Sequence, residues 1–162
     1  MSLLDDFIKL RIKKRILAEE YEQIQSYEMA YIALWSVTEL TVKAVEESRK
    51  TSELKDRIRA WHHFFENNSN ISRPEPIKSF VCEVKTIPAI TLIQKSLGEV
   101  PALAKLLQTN QRGKSSKYRD KRNAIAHNAD KFKNIDIYLD YKETALAAIE
   151  ELELKLKGMK EK

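Results

Sequence analysis

From Tyr21 onward, Ile24, Tyr27, Tyr31, Leu34, Thr38, Val42 and Val45 recur at steps of three and four residues, drawing one mostly apolar stripe along a long helix. No strand-type alternation is sustained along the chain, and Phe80, Cys82 and Val84 offer only a short strand reading beside a helical one. The fold class is therefore all-α. With 162 residues, 43% hydrophobic and 33% charged, the expectation is one domain spanning 1–162. The same composition, with only 3 Gly and 4 Pro, is unlike a disordered chain, and no apolar run has the length of a membrane span.

The stripe is expected to end near Arg49. Residues 1–20 are helix-compatible and form either a separate N-terminal arm or an extension of the long helix. Thr51 and Ser52 are suitable caps for a second helix carrying Leu54, Ile58, Trp61 and Phe65 on one face, which stops in Asn67 to Asn70. Arg73-Pro74-Glu75-Pro76 reads as a loop. Short helices are predicted over Ile77 to Ile87, from Pro88 to Gly98, and from Pro101 through Leu103, Leu106 and Leu107. After a polar loop, Ser115 or Ser116 caps a helix containing Tyr118 to His127. A long terminal helix then begins near Asn134, with Tyr138, Tyr141, Ala145, Ile149, Leu152 and Leu156 on its apolar face. Two long helices thus bracket several short ones. Those long faces, with Trp35 and Tyr138 as exposed aromatic candidates, predict a two-fold homodimer.

Charge is concentrated in one stretch. Between Gln111 and Lys133, eight basic residues face two acidic ones, a net +6, so the rest of the chain is near neutral at −1. A local positive field suits a polyanion. The N-terminus carries Asp5 and Asp6 where a secretory signal carries basic residues, so a cytoplasmic protein without membrane attachment is expected. The single Cys82 forms neither an internal disulfide nor a cysteine-based metal site. His62 and His63 are adjacent and lack the four-residue spacing of a two-histidine metal site, even with Glu66 one turn on from His62. Trp35, Trp61, Phe64 and Phe65 are read as core or dimer surface. With Gly98, Gly113 and Gly158 scattered, a P-loop is excluded.

The most specific string is Arg122-Asn123-Ala124-Ile125-Ala126-His127. At about 100° per residue, Asn123 and His127 share a face, while Arg122 and His127 stand roughly 140° apart and would line two sides of one cleft. The string resembles the Arg-x4-6-His motif of the HEPN superfamily (higher eukaryotes and prokaryotes nucleotide-binding domain) in its Arg-Asn-x-x-x-His form. The resemblance extends loosely over nearly the whole chain, because HEPN domains are all-α bundles with two long helices and the motif late in the sequence. It implies a metal-independent endoribonuclease working as a homodimer with facing motifs, in some members a toxin beside a nucleotidyltransferase-type antitoxin. It equally covers inactive modules that bind RNA, a nucleotide or a protein.

The residue types suit that chemistry. RNA cleavage without a metal or other cofactor needs a base for the 2′-hydroxyl, an acid for the leaving oxygen and positive charge at the phosphorane, and it leaves a 2′,3′-cyclic phosphate. His127 can serve as base or acid, since an imidazole titrates near neutrality. Arg122 can hold two phosphate oxygens with its planar fork, and Asn123 can orient either group. One chain supplies one such His, hence the second copy. Arg112, Lys114, Lys117, Arg119 and Lys121 are candidate phosphate contacts. Glu39, the single acid between Met29 and Val45, is a candidate to orient Arg122; Tyr118 is a candidate base-stacking residue, though a core role fits it better.

Overall fold

Gln25 takes a left-handed backbone conformation (φ 58°), and the chain reverses there. The computed structural model describes residues 3–66, 72–76, 98–107 and 117–160. Five helices occur among them: α1 (Leu3–Gln23), α2 (Tyr27–Glu66), α3 (Pro101–Leu107), α4 (Lys117–Asn128) and α5 (Ile135–Lys160), with no strand. The expected helices between Ile77 and Leu97, and the caps Ser115 and Ser116, lie outside the described residues.

The first break differs from the expected one. α1 ends where Ser26 N donates to Tyr21 O (2.8 Å) and Gln25 N to Glu22 O (2.9 Å), the paired bonds of a Schellman cap. Ala30 N then donates to Ser26 O (3.0 Å), which opens α2. The long stripe from Tyr21 is thus two antiparallel helices, and residues 3–23 are a packed element rather than an arm. Ala18 is buried, and Leu4, Phe7 and Tyr21 pack against the core.

At Arg49 to Ser52 the helix continues. Arg49 grips Glu46 with Nε and Nη2 (2.8 and 2.9 Å) and reaches Glu53 with Nη1 (3.1 Å), and Arg57 Nη2 meets the other oxygen of Glu53 (2.8 Å). This ladder of three- and four-residue pairs carries the 40-residue α2 through its Thr-Ser sequence. Thr51 and Ser52 are exposed in mid-helix, where nothing forces a stop. Beyond the ladder, Trp61 packs with Phe64 and Phe65, and its indole N–H donates to Glu75 O (2.9 Å) of the loop 72–76.

α5 runs parallel to α2 and antiparallel to α1. Tyr27 meets Tyr138 and Tyr31 meets Tyr141, while Glu22 takes bonds from Tyr138 and Lys142, and Arg11 pairs with Glu153 (3.1 Å). The core lies between these three helices. Trp35 (3% exposed) and Tyr138 (1%) are inside it, correcting their reading as exposed dimer aromatics. Their polar ends are satisfied internally, Trp35 Nε1 on Glu39 Oε1 (3.0 Å) and Tyr138 OH on Glu22, so burial carries no unpaired donor. α3 opens with Pro101, and its first amides, Ala102 N and Leu103 N, donate to the Glu151 carboxylate of α5 (3.0 and 3.2 Å).

Glu46 is 2% exposed and depends on Arg49 for its counter-charge. Arg49→Ala is expected to lower unfolding stability by about 2–3 kcal/mol, because it strands a buried carboxylate. Arg59→Ala, which breaks a pair with Asp56 exposed on both sides, should change it by under about 0.5 kcal/mol. Urea denaturation of the two variants measures the difference.

Candidate nucleic-acid interface

The motif helix α4 is held by two buried residues seven apart, Tyr118 and Ile125, which set its inward face. Its first turn is pinned hardest. Tyr31 OH donates to Tyr118 O (2.7 Å), and Tyr118 OH in turn donates to Asp140 Oδ2 (2.9 Å) and lies 3.2 Å from Thr144 Oγ1. Lys117 Nζ reaches the same Asp140 oxygen at 2.6 Å. The other end turns at Ala129 (φ 51°), and Phe132 N then donates to Glu28 Oε1 (2.8 Å) on α2.

With that face fixed, the helical spacing places the rest of the motif. Arg122 lies on the flank between Tyr118 and Ile125, half-buried, with Nη1 on Asn123 Oδ1 at 3.1 Å. Arg119, Asn123 and Ala126 fall outward from it, and exposed His127 follows at the far side of Asn123. Arg122 and Asn123 are brought together. Arg122 and His127 stand on separate sides of the helix, and no hydrogen bond joins His127 to either residue. Hollows open on α1 and where Leu4, Thr51 and Met159 meet, and no motif residue lines either of these.

No protein-family model, no curated protein and no solved structure matches this chain. The site rests on its own geometry.

That geometry redistributes the charge counted along the sequence. Lys117 is paired with Asp140, and Lys121 Nζ sits 2.6 Å from Asp130, 2.9 Å from Lys131 O and 4.8 Å from the Phe132 ring centre. Both ammonium groups therefore face carboxylates of this chain. Arg119 is half-buried, and Arg112 and Lys114 lie outside the described residues. Glu39 accepts from Trp35 and makes no ion pair with Arg122, so it does not orient the guanidinium. Tyr118 is 3% exposed, a core residue rather than a stacking platform. Sequence reasoning missed Asp130, Asp140 and Glu28, which hold α4 and its exit, because they approach from sequence distances no helical period relates. Among the described residues no group of three His, Cys, Asp or Glu side chains could hold a metal, and His62 Nδ1 faces Glu66 at 3.2 Å.

The Asp140 cluster gives this helix a pH signature. Hydrogen bonding from Lys117, and then from Tyr118, holds the Asp140 carboxyl below its ordinary value, and the Asp140 bond holds Lys117 above its own. A lowered carboxyl contributes stability above its ordinary value of about 3.9 and loses it as pH falls through the lowered one. A raised ammonium contributes below about 10.4 and loses it as pH rises through the raised value. Docking of α4, read by tyrosine near-ultraviolet circular dichroism, should therefore be flat from about pH 5 to 9 and weaken outside that window. Asp140→Asn should shrink the acid limb, leaving the part that the Lys121 bond to Asp130, another lowered carboxyl, contributes.

Proposed function

We propose that this chain is an RNA-directed protein of HEPN type, a metal-independent endoribonuclease in which Arg122 and His127 act and Asn123 assists. The supporting observation is that Arg122 is oriented by Asn123 Oδ1 at 3.1 Å while Ala126 and His127 stand exposed on the same helix. In this reading Arg122 holds two oxygens of the scissile phosphate as charge builds up, and His127 moves the proton. The imidazole takes it from the 2′-hydroxyl, that oxygen attacks phosphorus, and the 5′-oxygen leaves once protonated by an acid. The products carry a 2′,3′-cyclic phosphate and a free 5′-hydroxyl. One copy presents a single His127, so concerted acid and base action calls for a second copy across the RNA.

The separation of Arg122 from His127 favours a second reading for an isolated copy, a module that binds RNA through this face without cutting it. Cleavage assays decide between the two. His127→Ala should lower the rate by about 10²- to 10⁴-fold with helicity unchanged, and Arg122→Lys should lose most activity because an ammonium lacks the bidentate fork. EDTA should have no effect. Equal cleavage by folded His127→Ala would remove the assignment, and wild-type binding without cleavage would leave the binding module standing.

A further inference from the structure

α2 is longer than the helix packed against it. The row of small residues on its α1 side, Ala30, Ala33, Val37 and Ala44, continues as Ser48, Ser52, Lys55 and Arg59, four side chains within an arc of about 60°. Where α1 begins, at Leu3, this row borders a hollow of about 500 Å³, a size that suits a small molecule. Leu4 and Met159, both packed against the core, supply its apolar wall. The charges of the stretch are sorted by face. Glu46, Arg49, Glu53 and Arg57 neutralise one another on one side of α2, while Lys55 and Arg59 stand on the other, one turn apart. Like charges at that spacing weaken a helix, and an anion between them relieves the repulsion. Arg59 Nη1 donates to Asp56 Oδ1 (3.1 Å), which neutralises the acid of the lining and engages one nitrogen of the fork. Lys55 makes no ion pair or hydrogen bond among the described residues. The hydroxyls differ in the same way along the helix. Ser36, Thr38 and Thr41 each donate to the carbonyl one turn back, whereas Ser48, Thr51 and Ser52 make no such bond among the described residues.

We infer that this hollow binds a phosphate group, its oxygens held between Lys55 and Arg59 and completed by the hydroxyls of Ser48 and Ser52. The ammonium and the guanidinium give charge-assisted bonds, and the hydroxyls add donors without adding charge. A tetrahedral phosphate offers oxygens in several directions to donors that come from successive turns, where a planar carboxylate offers two. The apolar wall favours a phosphate ester with a small organic part over free phosphate. The hollow lies about 30 Å along α2 from Tyr31, where α4 docks, so it is independent of the proposed RNA chemistry.

The test is ¹H–¹⁵N correlation NMR of the full chain, titrated with phenyl phosphate, with inorganic phosphate and with a single-stranded oligoribonucleotide, each against matched sodium chloride. Phenyl phosphate should give saturable shifts confined to the amides of residues 48–59, Leu4 and Met159, with a dissociation constant on the order of 1 mM. Tighter binding of phenyl phosphate than of inorganic phosphate assigns the site to an ester, and equal binding assigns it to the free ion. Lys55→Ala and Arg59→Ala should each weaken binding about tenfold with thermal unfolding nearly unchanged, because both side chains are exposed. Lys55→Arg should retain it. His127→Ala should leave it intact, separating this site from the fate of the ribonuclease reading. Equal shifts in chloride, no saturation below about 20 mM, or undiminished binding by both alanine variants would overturn the site. Shifts of the same amides by the oligoribonucleotide at far lower concentration than by phenyl phosphate would overturn it in favour of a contact to the RNA backbone.

Discussion

The stack of Tyr31 on Tyr141, ring centres 3.5 Å apart and nearly parallel, joins α2 to α5 and fixes what can dock on them. Both hydroxyls leave the stack as donors, Tyr141 OH to Tyr31 O (3.1 Å) and Tyr31 OH to Tyr118 O (2.7 Å). Burial pushes both phenols well above their ordinary titration range, so they remain donors at neutral pH. Tyr118 then passes the chain of bonds to Asp140 and, through it, to Lys117. Loss of the Tyr31 hydroxyl would remove one bond to the Tyr118 carbonyl, which still accepts within α4, at a cost of about 0.5–1.5 kcal/mol.

This chain of hydroxyls sets the rotation of α4. Because Tyr118 is fixed at its first turn and Ile125 at its last, Arg122 has no freedom to turn fully inward or outward. It stays at the border, where its aliphatic stem is shielded and its fork is held by Asn123. His127, one turn past Asn123, is left in solvent. A helix with only two buried anchors is a shallowly seated element, and its position depends on ion pairs at both ends, Lys117 with Asp140 and Lys121 with Asp130. Lysines counted as phosphate contacts from sequence are thus also the fasteners of the helix that presents the motif. An RNA phosphate would have to compete with those carboxylates for them.

The long periodic elements were legible because apolar spacing alone determines them. The terminal helix from Asn134 and the motif helix around Tyr118 to His127 appear as Ile135–Lys160 and Lys117–Asn128. The break was not legible, because the signals at the two candidate places point the wrong way. Thr51 and Ser52 are good caps that the Glu46–Arg49–Glu53 ladder overrides, and Gln25 is a residue that rarely adopts the left-handed turn it makes here. The burial of Trp35 and Tyr138 was equally hidden. Each carries a polar end, and only the structure shows Glu39 and Glu22 waiting for them. Of the site, the string itself was legible and its partners were not, since Asp140 and Glu28 reach α4 through tertiary contact.

α2 separates α1 from the helix that carries the motif. Glu28 faces the exit of α4 and Tyr31 its first turn, whereas Ala30, Ala33, Val37 and Ala44, all buried, form a stripe of small residues about half a turn away. With α5 and α4 on the tyrosine side, that stripe is the side left for α1, and small side chains let the two antiparallel helices lie close along their length. The outer face of α1 and the motif face of α4 therefore belong to different flanks of one helix. Because Arg122 and His127 of one copy stand on separate sides of α4, the proposed cleavage depends on how a second copy would present its own His127 to a phosphate bound at Arg122.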